Sequence, residues 1–368
     1  KSFEEETNLW RNLLPCREEI FDLFRRHPPK HEQGFAYRRP RDAHAWPYGA
    51  LTRKGLDSAK ELKLSSNILR STNYRRTMLT AAAAVQPASV LMENDCTNKN
   101  QEESDVLHIE INGIQCGLNG FDASPIETMS ALNETAKNIC EPPELKKALI
   151  HAIPGATQES FGWLQAVDYA ECRIFHDLPF YDQELLDAAR KHLRSRYIQI
   201  FQNPVISTLV AAPAIAEIRR GLSSIEASSA SLVNVAHDVT IIALLHGLDA
   251  RLPKSFALPP FLSIFEIKLH EASATISVTL NNNPILIGNN YCPLTNIKVN
   301  DFRRYLDHRL IILQQKSFSL DTKIPIAHHE DSIATTAQNQ QEQQQHPSFL
   351  TSPTGISHSA SVVAATAT

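Results

Sequence analysis

The sequence lacks several features that would assign it to well-defined protein classes. No apolar run reaches the roughly 18 residues that a membrane-spanning helix needs, and the best candidate, 206–218, is short and contains Pro213. A strong excess of one charge is also absent, since the net charge is −4 and the pI is about 6.4. The balance argues against a nucleic-acid partner, and the short runs argue against a membrane span.

Closely spaced cysteines are missing as well. Six cysteines are scattered without any Cys-x-x-Cys pair, which argues against a structural zinc site; they are Cys16, Cys96, Cys116, Cys140, Cys172 and Cys292. These cysteines could form disulfides in an oxidising compartment or stay reduced in the cytosol. No signal peptide is recognisable, but the chain begins at Lys1 rather than methionine, so this says nothing about localisation. One sequon, Asn133-Glu-Thr, gives weak support for a secreted or lysosomal-type compartment.

The most informative segment that is present is a short apolar run followed by a His-Asp pair. Residues 232–236 predict a buried strand, and residues 241–248 predict a helix. His237 and Asp238 would then lie at the carboxyl end of a strand, where open α/β sheets bind ligands. Such a pair can bind phosphate and donate a proton, although turn formation or helix capping by Asp238 would explain the same residues.

A second segment contains an arginine at a similar position. Ile68 and Leu69 predict the end of a strand, and residues 77–84 predict the helix that follows. Arg70 would lie where the strand gives way to the turn. A guanidinium and backbone N–H groups at that place form an anion site.

Together these segments resemble the histidine acid phosphatase family, a branch of the histidine phosphatase superfamily. The resemblance rests on four blocks that follow the family's order, namely 46–55, 70–77, 235–240 and 291–294. They anchor most of residues 46 to about 305, although the sequence between them has diverged. Relatives carry a longer helix where this chain has only 63–69.

The resemblance implies a role for each candidate site residue. His237 would stabilise phosphoryl oxygens, Asp238 would protonate the leaving alkoxide, and Arg70 would bind the phosphate. Arg76 is predicted to be structural, and Glu266, which matches an acidic position in relatives, would act at most indirectly. No cofactor or metal is implied, because fixed cations neutralise the phosphate.

The family signature, a strand ending in Arg-His-Gly-x-Arg-x-Pro whose histidine is the nucleophile, is not found in these 368 residues. One interpretation takes Arg26-His27-Pro-Pro-Lys30 as a divergent version. It conflicts with Pro28, which lacks an N–H and stands where backbone must approach phosphate, and with the helical periodicity of 16–26. The favoured interpretation places the motif upstream of Lys1. His27 is then predicted to be a surface histidine at a helix end.

The predicted architecture is α/β, with a parallel-type central sheet flanked by helices and a first strand that this chain lacks. Residues 1–313 would form one domain, with a helical cap at about 121–204. A strand is predicted at 106–111, β-rich segments at 261–269 and 274–280, a helix at 206–222 interrupted near Pro213, and a last helix at 302–313. Residues 314–368, which include a Gln-rich tract, are predicted to be disordered.

These observations predict an acid phosphatase-like phosphomonoesterase that acts through a phosphohistidine. It would be incomplete here because the nucleophile motif is absent. The alternative is a catalytically inactive module that binds phosphate esters. The expected partner is a small-molecule phosphomonoester; the sequence fixes neither its identity nor the oligomeric state.

Overall fold

The computed structural model describes residues 3–31, 49–85, 107–111, 134–135, 138–153, 163–180, 182–228, 231–251, 258–288, 292–321 and 362–366. Ten helices are described, α1 (Phe3–Asn12), α2 (Arg17–Arg26), α3 (Arg53–Glu61), α4 (Arg75–Ala84), α5 (Pro143–His151), α6 (Trp163–Phe175), α7 (Gln183–Gln202), α8 (Pro204–Ser228), α9 (Asp238–Gly247) and α10 (Val299–Asp321). The described strands are β1 (Pro29–His31), β2 (Ile68–Ser71), β3 (Ile109–Ile111), β4 (Leu232–Ala236), β5 (Ile264–His270), β6 (Thr275–Leu280), β7 (Asn283–Pro284), β8 (Leu286–Ile287), β9 (Cys292–Pro293), β10 (Ile297–Lys298) and β11 (Val362–Thr366).

The main sheet makes the protein mixed α/β. Its order is β1-β3-β2-β4-β11-β5-β6-β10. The first four of these strands are parallel to one another, and β11 is parallel to β4 but antiparallel to β5. Strands β5, β6 and β10 form an antiparallel extension. This agrees with the prediction of a parallel sheet flanked by helices.

Helices cover both faces of the sheet. Strand β4 is buried on both, whereas β2, β3, β5 and β6 alternate between buried apolar positions and partly exposed ones. On one face, Leu69 and Val233 pack with Met78 of α4 in a cluster to which α2 and α3 also contribute. On the other, Phe265 and Phe302 pack with residues of α8, α9 and α10. Strand β4 is buried along its whole length, which places the segment before His237 at the centre of the fold.

A third apolar cluster joins α1 and α5–α7 to the outer side of α9. In α7, the positions that the helical periodicity predicts to face inward are all buried; they are Leu186, Ala189, Leu193, Tyr197 and Ile200. Val239 and Ile242 of α9 complete the cluster. The helical layer predicted at 121–204 therefore meets the helix that begins immediately after His237. Within that span, residues 121–133, 136–137, 154–162 and 181 lie outside the described ranges.

Three predicted elements differ from the observed ones. Helix α8 continues through Pro213 without a break. Helix α10 runs eight residues beyond its predicted end at Leu313, so it extends into the segment predicted to be disordered. Residues 362–366, also in that segment, form β11, while 322–361 lie outside the described residues. Backbone pairing with β4 and β5 supplies hydrogen bonds that composition alone does not predict.

The prediction of a surface position for His27 is wrong. His27 caps the carboxyl end of α2, as expected, but it is only 2% exposed. Its Nδ1 lies 3.0 Å from the carbonyl oxygen of Leu107. Because the chain turns from α2 into β1 at this point, the imidazole is enclosed beneath the edge of the sheet.

The same geometry separates His27 from the His-Asp pair. Among the described strands β1 lies at the edge of the sheet, and Pro29 aligns through β3 and β2 with Val233. His27 precedes that row by two residues and His237 follows it by four, so they lie about 20 Å apart along the strands and about 14 Å apart across them. His27 cannot act on a ligand at His237, which argues against the divergent-signature interpretation.

Within the described ranges, no single helix is both long and apolar enough to cross a membrane; α7 and α8 meet that condition only as a pair bent by 87°. Cys16, Cys140, Cys172 and Cys292 form no disulfide with one another. The predictions concerning Asn133, Tyr291, residues 46–48 and the other two cysteines fall outside the described residues.

Candidate functional site

His237 and Asp238 lie where β4 ends and α9 begins. His237 is the N-cap residue of α9, in an extended conformation with φ −120° and ψ 161°. Asp238 is the first helical residue, and its Oδ1 accepts a hydrogen bond of 2.8 Å from the backbone N–H of Val239. A carboxylate in the first turn favours the helix dipole. Asp238 therefore bonds to a backbone N–H in the first turn, as a capping residue does. It is not the N-cap itself, because it is already inside the helix.

The turn after β2 supplies the neighbours of the His237 ring. Nε2 of His237 lies 3.2 Å from Oγ1 of Thr72. The edge of the ring meets Tyr74, with ring centroids 4.7 Å apart and planes at 80°. Because β2 and β4 are adjacent and parallel, the two turns that follow them meet at the same edge of the sheet.

A threonine pair orients the imidazole. Oγ1 of Thr77 lies 3.0 Å and 2.9 Å from the carbonyl oxygens of Thr72 and Tyr74. A carbonyl only accepts, so the arrangement that pairs every group donates the Thr77 hydrogen there. The 2.8 Å contact between the hydroxyls of Thr72 and Thr77 then uses the Thr72 hydrogen. Thr72 is left to accept from Nε2 of His237, which makes Nδ1 the atom whose protonation sets the ring charge.

Arg76 is the cation that joins this cluster. Its guanidinium lies over the Tyr74 ring, 4.5 Å from the centroid, and it is electrostatically attracted to the carboxylates of Asp168 and Asp238. A cation in the first turn of α4 opposes the helix dipole, so these contacts offset an unfavourable position. Sequence reasoning predicted Arg76 to be structural; the structure brings it to the site.

Asp168 is a site residue that sequence reasoning did not find. It lies on α6, and burial together with the Asp238 carboxylate raises its pKa to about 8, against the opposing effect of Arg76. Burial likewise raises the pKa of Asp238. The available signal was one acidic residue within the apolar stretch 166–170, whose other members are buried. Two carboxyls that resist ionisation beside an arginine can hold a proton at neutral pH.

The raised pKa of Asp168 predicts a specific dependence of stability on pH. In the unfolded chain Asp168 loses its proton near pH 4, whereas in the folded protein it keeps the proton to about pH 8. The folded state therefore binds more protons between these values, and the free energy of unfolding falls as the pH rises from about 4 to about 8. At pH 8 we expect the free energy of unfolding of Asp168→Asn to exceed that of the wild type by more than about 1.4 kcal/mol, the equivalent of one pKa unit.

Urea unfolding at pH 4 and pH 8 measures this effect. The two proteins should have nearly equal stability at pH 4, where both carry a neutral group. Asp187→Asn is the matched control, because Asp187 has a side chain that is 60% exposed and should change stability little at either pH. Equal stabilities of wild type and Asp168→Asn at pH 8 would show that Asp168 ionises normally.

Arg70 has a different environment from Arg76. On β2 its side chain is 19% exposed and forms ion pairs with two carboxylates. Nε donates to Glu110 of β3 at 3.1 Å, and an N–H of the same guanidinium donates to Glu217 of α8. The predicted phosphate ligand is thus held by carboxylates on the face covered by α8, and Asp238 is instead attracted to Arg76.

Glu266 does not lie near His237. Phe265 is opposite Ala364, which is opposite Asn234. Glu266 is therefore four residues along the strand from the position level with His237, and β11 lies between their strands. The separation is about 13 Å along the strands and about 10 Å across them, which leaves Glu266 no direct role at the pair.

Tyr197 links the site to a cleft in the helical layer. Burial and the carboxylates of Asp238 and Asp168 raise the pKa of Tyr197 well above its ordinary value. The same residue borders a cleft of about 250 Å³ between α5, α6 and α7. The cleft is lined by Glu141, Lys146, Trp163, Gln165, Leu193, Arg196 and Tyr197. Polar and aromatic groups therefore continue outward from the carboxyl pair.

The described residues contain no group of three or more His, Cys, Asp or Glu side chains that could hold a metal ion. The groups that the structure brings together are an imidazole, an arginine and two carboxyls with raised pKa values. Comparison of the sequence with family models and with curated proteins finds no match.

Proposed function

We propose that this chain contains an acid phosphatase-like site that binds phosphate monoesters and holds the leaving-group proton, within a histidine phosphatase type of α/β fold. The observation that carries the proposal is the convergence of His237, Asp238 and Arg76 at the carboxyl end of a buried parallel strand. Carboxyl ends of parallel strands are where α/β proteins bind ligands. The resemblance of blocks 70–77 and 235–240 to the family agrees with the same site.

In this proposal each group has a defined part. Phosphoryl oxygens accept hydrogen bonds from the guanidinium of Arg76 and from the His237 ring, whose position Thr72 and Tyr74 fix. Asp238 donates its proton to the leaving oxygen of the ester. The raised pKa of the Asp168–Asp238 pair keeps that proton available and reduces repulsion of the anion. Binding should therefore strengthen in acid, as ionisation of the pair is suppressed.

The site described here contains no assigned nucleophile. His27 lies far from His237, and β11, which pairs with β4 over its whole length, has the sequence Val-Val-Ala-Ala-Thr. Phosphohistidine chemistry needs an imidazole beside the phosphorus atom. We therefore propose that the chain carries the binding and proton-donating half of a phosphomonoesterase site.

The alternative function is an inactive module that binds phosphate esters. The same group of side chains at the end of β4 supports it. A protein that only binds would still need Arg76 and His237, but it would not need Asp238 as a donor. The two functions therefore differ in how Asp238→Asn behaves. In a binding module this neutral replacement keeps or improves affinity, and neither form turns over substrate. Any turnover that is lost in Asp238→Asn would therefore require the proton donor.

Hydrolysis of p-nitrophenyl phosphate at about pH 5, followed together with phosphate binding, tests the proposal. We expect the wild type to bind phosphate without measurable turnover, and His237→Ala to weaken binding by about tenfold or more, as the loss of a hydrogen bond to a charged group would. His27→Ala is the matched control and should leave phosphate affinity unchanged.

Three results would overturn the proposal. Equal phosphate affinity in the wild type and His237→Ala would remove His237 from the site. Turnover that disappears in His27→Ala would show that His27 is a nucleophile after all and that the half-site interpretation is wrong. Turnover that survives His27→Ala but vanishes in Asp238→Asn would exclude the binding module and would show that the chain contains another nucleophile, so that the half-site interpretation is wrong.

A further inference from the structure

One position in the sheet is filled by Val362–Thr366, which are far in sequence from both strands that they join. Strands β4 and β5 are not paired with each other, because β11 lies between them and bonds to both. Val362–Thr366 align one by one with Leu232–Ala236, and Ala364 and Ala365 align with Phe265 and Ile264. One strand at the usual spacing fits a gap of about 9.5 Å.

Strand β11 is far in sequence from the other strands of the sheet. Forty residues, 322–361, separate the end of α10 from the start of β11. Every other described strand of the main sheet comes from residues 29–298. If β11 left, the sheet would divide into the parallel β1-β3-β2-β4 part and the antiparallel β5-β6-β10 part, each with a row of unpaired N–H and C=O groups at the new edge.

We propose that the gap between β4 and β5 is a strand-acceptor slot, filled reversibly by the chain's own C-terminal segment, Val362–Thr366. Its occupant must be an extended segment of about five residues that runs parallel to β4 and antiparallel to β5. Main-chain hydrogen bonds would supply the affinity, as in other cases of strand addition. The segment suits this use, since it contains no proline or charge and three of its five residues are β-branched.

The slot also borders the candidate site. Thr366 aligns with Ala236, the residue immediately before His237. Occupancy therefore pairs the last residue of β4. Departure of β11 would leave Ala236 without a partner strand, while Val235 stays bonded to Thr72 in the turn after β2. The slot can be tested without reference to phosphate, so its failure and the failure of the proposed function are separate results.

Ala364→Pro in the full chain tests the slot. Proline cannot donate to the ladder of a central strand, so the variant should release the segment. We expect amide hydrogen exchange in 232–236 and 264–267 to accelerate at least tenfold. Ala337→Pro, in the Gln-rich part of the tail, is the matched control and should change neither segment.

A synthetic peptide of residues 358–368 then tests refilling. It should bind Ala364→Pro at least tenfold more tightly than the wild type, whose tethered segment competes at millimolar effective concentration, and it should restore slow exchange. A peptide carrying the same Ala364→Pro change should not bind. Unchanged exchange in the variant, or equal peptide affinity for both chains, would overturn the proposal.

A cysteine pair keeps the proposal testable if the proline variant does not fold. Ile264→Cys with Ala365→Cys places thiols at directly opposed antiparallel positions, where a disulfide can form. We expect the linked peptide to be found by mass spectrometry in a monomer. Failure of this link to form in a folded chain, or its formation only between two copies, would contradict filling by the chain's own segment.

Discussion

Replacement of Arg76 by methionine is expected to weaken phosphate binding at pH 5 by at least tenfold, or about 1.4 kcal/mol. Methionine keeps most of the side-chain volume but removes the charge and the N–H donors. Arg76 is attracted to Asp168 and Asp238 and lies over Tyr74, so the variant loses the cation nearest the proposed anion position. Isothermal titration calorimetry with inorganic phosphate measures the change.

Two other arginines serve as controls for this experiment. Arg75 is the neighbouring residue and is exposed, so Arg75→Met should alter phosphate affinity by less than a factor of three. Arg70→Met distinguishes the sequence prediction from the observed geometry, because Arg70 is held by Glu110 and Glu217. A larger loss of affinity in Arg70→Met than in Arg76→Met would reassign the phosphate contact to Arg70.

Replacement of Arg173 by methionine is expected to lower the free energy of unfolding by about 3–5 kcal/mol. Arg173 of α6 donates to the carboxylate of Glu6 in α1, and the two side chains are 5% and 0% exposed. Trp10 also donates to this carboxylate at 3.0 Å, as does the hydroxyl of Tyr169. Without Arg173 the Glu6 charge would remain buried and uncompensated. Urea unfolding measures the loss.

A second variant separates burial of a lone charge from loss of packing. Glu6→Gln combined with Arg173→Met removes both charges, so it should be less destabilised than Arg173→Met alone, because contacting residues are not additive. Arg25→Met is the surface control; Arg25 pairs with Asp22, but their side chains are 72% and 57% exposed, and such pairs contribute about 0–1 kcal/mol. A loss in Arg173→Met no larger than in Arg25→Met would show that the buried pair does not join α1 to α6.

Much of the local structure could be predicted because its signals are local. The apolar run 232–236 predicted β4, and the strands at 261–269 and 274–280 were found as β5 and β6, paired antiparallel. The periodicity of α7 identified its buried face. In each case a repeat of two or of 3.6 residues reports which side chains are covered.

The site was predicted only in part because its residues come from distant segments. His237 and Asp238 could be found since they directly follow a strand. Asp168 could not be found from the sequence, because its proximity to Asp238 depends on how α6 packs against α9. The environments of Arg70 and Arg76 differ for a similar reason, since the pairing of β2 with β3 and the position of α8 bring Glu110 and Glu217 to Arg70.

The sequence does not predict which strands pair when they are far apart along the chain. Strand β11 lies between β4 and β5, but no local pattern connects residues 362–366 with 232–236. Composition predicts a disordered tail, but it carries no information on backbone hydrogen bonds with a partner strand. It therefore could not reveal β11. The exposure of His27 was predicted wrongly for the same reason, since its ring contacts the carbonyl oxygen of Leu107, 80 residues away in sequence.

The position of vanadate in crystals soaked at about pH 5 tests the central claim most directly, since vanadate has the charge and shape of a phosphoryl group. We predict that the ion lies within hydrogen-bond distance of both His237 and Arg76 and beside the carboxyl of Asp238. An ion bound at Arg70 in place of Glu110 and Glu217, or an unoccupied end of β4 in crystals that bind vanadate elsewhere, would contradict the account.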